Sequence, residues 1–107
     1  MRVLKLSLKK QFYDMIERAN NPKREEYREL KDFLYRRLMN MDGTFQHYDY
    51  VTFSYGYTKR TMTFKCDGIR IGYGNPEWGG STKIKTFIIS IGKLVSKRDK
   101  EGNLTIY

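Results

Sequence analysis

Asn21-Pro22-Lys23-Arg24-Glu25-Glu26-Tyr27-Arg28 decides how the chain divides, because it reads either as helix or as strand. Its opening Asn-Pro stops or starts an element. If residues 22–41 formed one helix, Lys23 and Glu26 would be neighbours at i, i+3. Arg28 would then point away from both, at about 100° per residue. Glu25, Glu26 and Glu29 would also suit the positive end of such a helix. If residues 23–28 are extended, Glu26 and Arg28 share a face and Lys23 reaches in from the turn. Three charged groups then converge on one pocket and could hold a phosphate or base, or supply a general base. Spacing alone favours the solvated helix face.

Working outward, residues 2–7 alternate apolar Val3, Leu4 and Leu6 with Arg2, Lys5 and Ser7, which predicts a half-buried first strand. Ser7 is placed to cap a helix in which Leu8, Phe12, Met15, Ile16 and Ala19 recur at helical spacing. Asn20-Asn21-Pro22 ends it. Beyond the central stretch a second helix is expected from about Glu29 to Met41, with Leu30, Phe33, Leu34, Leu38 and Met41 as its buried stripe. Asp42-Gly43 stops that helix. The remainder reads as sheet. Tyr48–Tyr55 and Thr61–Cys66 alternate, Asp67-Gly68 breaks the run, and Ile69, Ile71 and Tyr73 resume it. Phe87-Ile88-Ile89-Ser90-Ile91 is apolar on both faces, as a central strand is. Leu94-Val95 continues it, Asp99–Asn103 makes a hairpin turn, and Leu104 and Ile106 close the chain. Two early helices and five or so short strands predict an α+β domain whose sheet curls into a small barrel.

With 107 residues the chain is a single domain, and its 39% hydrophobic and 15% aromatic content predicts a packed core. No stretch approaches the roughly 20 apolar residues of a membrane helix. The alternating start is a poor signal peptide, so a cytoplasmic protein is expected. Cys66 stands alone, without ligand partners at metal spacing, and no metal or other cofactor is expected. The net charge of +9 is spread along the chain, with 11 basic and 6 acidic residues in 1–37 and 10 and 6 in 38–107. A charge of this sign favours a polyanion, most simply nucleic acid.

Several further features recur in a defined order. Lys23, Glu26 and Arg28 fit a G-x-K-x-x-E-x-R pattern, with Asn21 where Gly is preferred. Asn is the next most tolerant residue for a left-handed turn. Leu6-Ser7-Leu8-Lys9 precedes the first helix, and Glu26-Tyr27-Arg28-Glu29 and Arg36-Arg37-Leu38 follow it. Gly74-Asn75-Pro76-Glu77-Trp78-Gly79 and Phe87-Ile88-Ile89 ahead of Gly92 complete the series. Together they resemble the ASCH domains, small relatives of the RNA-binding PUA domains. The resemblance covers most of the chain and implies a PUA-like β-barrel with flanking helices. It also implies a cleft in which Lys23, Glu26 and Arg28 face RNA or a nucleotide.

Some ASCH members are amidohydrolases acting on N4-acetylcytidine, and others have been described as ribonucleases. In the amidohydrolases the motif Lys works with a Thr at the position of Glu26 and with a second Glu from later in the chain. Lys23 is present, the Thr is not, and Glu77 is the only acid in a comparable loop. The resemblance therefore implies binding first, by Lys23, Glu26, Tyr27 and Arg28, with Lys23 and Glu26 as the catalytic pair on the hydrolase alternative.

Trp78, the sole tryptophan, lies in a glycine-rich loop, where it either stacks on a base or covers an open end of the barrel. Lys5, Lys9, Lys59, Arg60, Lys83 and Lys85 are candidate phosphate contacts. His47 has no nucleophile arranged beside it and is read as structural or solvent-facing. Cys66 sits in an apolar row and is read as a small buried hydrophobe. Gly68–Gly74 lacks the Lys-Ser/Thr of a phosphate-cradling loop. A third class, a protein-interaction module built on the same scaffold, is left to experiment.

Overall fold

Alternation places Leu4, Leu6 and Leu8 on one face of β1 (Val3–Leu8), and all three are buried. The computed structural model describes all of residues 1–107. After β1 come α1 (Lys10–Glu17), β2 (Glu25–Arg28), α2 (Asp32–Leu38), β3 (Tyr50–Tyr55), β4 (Thr61–Gly72), β5 (Thr86–Arg98) and β6 (Leu104–Ile106). The fold is α+β, with two helices and one six-stranded mixed sheet in the order β1-β3-β4-β5-β2, β6 pairing with the far half of β5. Only β1 and β3 run parallel. The core forms where apolar rows of the strands meet the helices, through Val51, Phe53, Met62, Phe64, Phe87 and Ile89 from the sheet and Tyr13, Ile16, Leu34 and Leu38 from α1 and α2.

The expected barrel does not close. β1 bonds only to β3 and β2 only to β5, so both end the sheet as free edges. The Arg28 guanidinium crosses from β2 to the Ser7 carbonyl of β1 at 2.7 Å. That carbonyl is an acceptor a neighbouring strand would otherwise use, so side chains occupy the seam in place of a backbone ladder.

Local expectations need three corrections. Ser7 and Leu8 belong to β1, and α1 starts at Lys10 behind an extended Lys9, with no side-chain cap. The side chain of Leu8 fills the core from a strand, which an apolar residue at helical spacing does not distinguish. Helix α2 covers only Asp32–Leu38, since Lys31 and Met39 at its two ends are both extended. Its buried stripe shrinks to the i, i+4 pair Leu34 and Leu38, leaving Phe33 and Met41 exposed. Finally, Asp67-Gly68 bends the sheet without ending it. β4 continues through register shifts around Cys66–Gly68, with Gly68 at φ 125°, a conformation that side-chain-bearing residues resist.

These placements separate two apolar residues that spacing treats alike. Leu38→Ala is expected to destabilise the fold by about 2–5 kcal/mol through cavity formation. Met41→Ala should change stability by less than about 0.5 kcal/mol. Urea unfolding monitored by circular dichroism measures both, and equal losses would contradict the short α2.

Candidate functional site

Residues 25–28 form a strand, so the helix reading favoured by spacing gives way to the extended one. The deciding contacts are remote. Glu25–Arg28 pairs with Phe87–Ser90, which spacing within the stretch cannot report. Upstream, Asn21 adopts a left-handed φ of 46°, and the Lys23 amide then donates to the Met15 carbonyl of α1 at 2.8 Å. The chain thereby turns sharply before β2 and aims the Lys23 side chain inward.

Lys23 and Glu26 are the only charged residues among the 18 that are buried, with exposures of 1% and 4%. The Lys23 ammonium lies 3.4 Å from Glu26 Oε1 and donates to the Trp78 carbonyl. It also sits over the Tyr27 ring at 4.5 Å and near Phe12 at 5.3 Å. Glu26 Oε2 accepts from Arg28 Nε at 2.8 Å. Burial lowers the Lys23 amine below its ordinary range, with Glu26 opposing that shift.

A second layer holds this network. The Tyr27 hydroxyl donates to Glu25 at 2.7 Å and accepts from the Asn75 amide at 2.9 Å. Burial, then the Glu25 carboxylate, push the Tyr27 phenol up to about 12. Burial alone would raise the Glu25 carboxyl, yet the hydrogen bonds from Tyr27 and Arg70 hold it below its usual value. The Asn75 side chain accepts from the Glu77 amide and starts the short 3-10 turn Pro76–Trp78, which presents the Trp78 carbonyl to Lys23. The loop folds on itself so tightly that a Cβ on Gly74 would lie 2.7 Å from the Gly80 Cα.

Above the network lies a hollow of about 460 Å³, lined by Ser7, Leu8 and Lys9 from the β1 end and by Lys23, Glu26, Tyr27 and Arg28. Five of the sequence candidates, Lys9, Lys23, Glu26, Tyr27 and Arg28, therefore meet at the seam. Two stand apart from its lining. The Trp78 ring is half-buried with its Nε1 enclosed and unpartnered, and only its carbonyl joins the network. Glu77 is exposed and accepts from Asn21 Nδ2 at 2.9 Å. Tyr57, which the sequence offers with Tyr55 and Tyr73 as aromatic surface, lines the hollow too, and so do Ser7 and Phe12, which were not singled out for it. The signal of those two is faint, being one hydroxyl and one apolar helix residue. His47 is exposed beside Asp49, and burial pushes the half-buried Cys66 thiol up. No group of three or more His, Cys, Asp and Glu side chains is arranged for a metal ion.

Comparison with family models, with curated proteins and with solved structures finds no match for the chain. The site is accordingly interpreted from its own chemistry.

Glu26→Gln leaves the Lys23 ammonium buried without its counter-charge, at an expected cost of about 3 kcal/mol and a fall in Tm of more than about 10 °C. The double variant Lys23→Met/Glu26→Leu removes both charges and should recover most of that loss. Thermal melts of the three proteins decide it; a Tm change under about 3 °C for Glu26→Gln would mean the pair is not buried. A second expectation concerns alkali. The Tyr27 phenol is raised from 10 to about 12, so the folded chain keeps a proton that the unfolded chain releases. Its stabilisation is complete below pH 10 and is lost as pH rises toward 12. Tyr27→Phe should flatten the decline of Tm across that window and remove one late-ionising phenol from the ultraviolet titration.

Proposed function

We infer that the chain is an ASCH-type RNA- or nucleotide-binding module, built on a PUA-like scaffold whose seam receives a base or a phosphate. The observation that carries this reading is the Lys23–Glu26–Arg28 network, its first two members buried, at the floor of a hollow between two free sheet edges. Arg28 supplies a planar donor set suited to phosphate, and Lys9 adds an exposed cation at the rim. Tyr27, Tyr57 and Phe12 provide aromatic surface for a base. The fold has no helix long and apolar enough to cross a membrane, and on this reading the protein acts on cytoplasmic RNA.

A hydrolase is the second reading, favoured by the lowered basicity of the Lys23 amine. Two features weigh toward binding instead. The amine already donates to Glu26 and to the Trp78 carbonyl, and Glu26 opposes the loss of its proton. Glu77 is also turned toward Asn21, outside the lining of the hollow.

Titrating 15N-labelled protein with cytidine and uridine monophosphates is expected to shift the amides of residues 7–9 and 23–28. Arg28→Gln should weaken binding about tenfold, the worth of one charge-assisted contact. Shifts confined to other residues would remove the cleft from consideration. Incubation with N4-acetylcytidine and with RNA, beside a Lys23→Ala control, tests the hydrolase; turnover lost in the control would displace the binding reading.

A further inference from the structure

The face of the sheet turned away from the core is built as two rows in register, polar across four strands and ending in apolar residues of β6. Lys5, Thr52, Thr63, Ser96 and Ile106 form one, paired in sequence across β1, β3, β4, β5 and β6. Ser7, Ser54, Thr61, Arg98 and Leu104 form the other, one pleat further along. Both rows line a single open groove of about 1080 Å³, walled at one side by Phe33 and Arg37 of α2. Five strands give it a length of about 19 Å, at roughly 4.8 Å per spacing.

The chemistry of this groove is one-sided. Its lining holds Lys5, Arg28, Arg37 and Arg98 and not one acidic residue. Lys5, Arg37 and Arg98 take part in none of the seven ion pairs of the fold. Arg37 and Arg98 reach only backbone carbonyls, those of Lys5 and Gly102. Between the cations lies a floor of half-buried hydroxyls, with Thr52 and Thr63 bonded to each other at 2.8 Å. Tyr57, 99% exposed, and Phe33, 59% exposed, stand at the rim. Ser7, Arg28 and Tyr57 also line the seam hollow, so the two cavities are neighbours that share these residues.

We propose that this groove is the docking track for a single strand of RNA, whose phosphates meet Lys5, Arg37 and Arg98. The riboses lie over the hydroxyl floor, where side-chain oxygens can engage the 2′-OH. Bases stack on the exposed rings of Phe33 and Tyr57. The inference extends the nucleotide reading of the seam but rests on different residues. A strand seated with one nucleotide in the seam would continue past Arg28 into the groove.

The test is fluorescence anisotropy with a labelled RNA of about 12 nucleotides, within the usual site sizes of single-strand binders, over a series of salt concentrations. Three phosphate contacts give a log-log salt slope of about −2. Lys5→Gln/Arg98→Gln should flatten that slope by about 1.4. Lys31→Gln/Lys93→Gln removes the same charge from residues outside the groove and should leave the slope unchanged. Equal flattening by both pairs, no flattening by the first, or no binding by the wild type overturns the proposal. Tighter binding of the matching deoxy strand, or displacement of RNA by poly-glutamate at equal charge, would also overturn it, the latter in favour of an acidic protein partner. The mononucleotide titration reports the seam separately. A wild type that keeps the salt slope but ignores mononucleotides retains the groove and loses the seam reading.

Discussion

A charge taken out of water needs a partner in each hydrogen-bonding direction, and the Lys23 ammonium shows how much structure that requires. Its partners are Glu26, three residues on, and the Trp78 carbonyl, 55 residues on. The carbonyl is available because a short 3-10 turn presents it, and the turn starts on Asn75. Asn75 is held by the Tyr27 hydroxyl, and the Tyr27 ring lies over the ammonium. The dependence is circular, so loss of one member loosens the rest. Isolated, such a buried pair contributes little or even costs stability. Its worth here lies in fixing one arrangement of the loop and of β2, and through Arg28 the distance between the sheet edges.

That arrangement also answers a problem of sheet architecture. Free edges invite pairing with another chain, and proteins cover, charge or close them. β1 and β2 are both free edges, and one side chain of β2, Arg28, reaches the backbone of β1 across the seam. Arg28 occupies the Ser7 carbonyl that an incoming strand would seek, and its partner Glu26 is buried beside it. The same residues therefore guard the edges and keep a hollow between them open. A ladder closed at this point would have erased the site.

Much of this was legible in sequence wherever the signal is local. The period-two rows of β1, β3 and β4 put Leu4, Leu6, Val51, Phe53, Met62 and Phe64 inside, as the alternation demands. The apolar run of β5 is central, with neighbours on both sides. The candidate site was half legible. The resemblance grouped Lys23, Glu26 and Arg28 where spacing had separated them, and the extended conformation in which they meet comes from pairing with Phe87–Ser90. Helical spacing within residues 22–41 is blind to that pairing. The bounds of α2 failed for a related reason. Met41 sits at a helical position of the pattern, yet the chain leaves the helix at Met39 and bridges to Phe45. The polar rows were invisible, since Ser and Thr on a strand look alike whether they face bulk water or a groove.

Net charge is a poor guide until the ion pairs are sorted. Glu17 accepts from both Arg60 and Lys97, and Glu25 from Arg70, which quenches cations on the parts of the surface where those acids lie. Glu26 likewise takes Lys23 and Arg28. Lys5, Arg37 and Arg98 have no such acid and border the same groove. A chain with its excess charge spread evenly in sequence thus gathers cations without acids along one groove. Most Lys and Arg side chains join no ion pair, so what sets the groove apart is a lining that contains no acid. On the proposed reading, three cations outside any ion pair, over a floor without acids, make up the cationic surface of the groove.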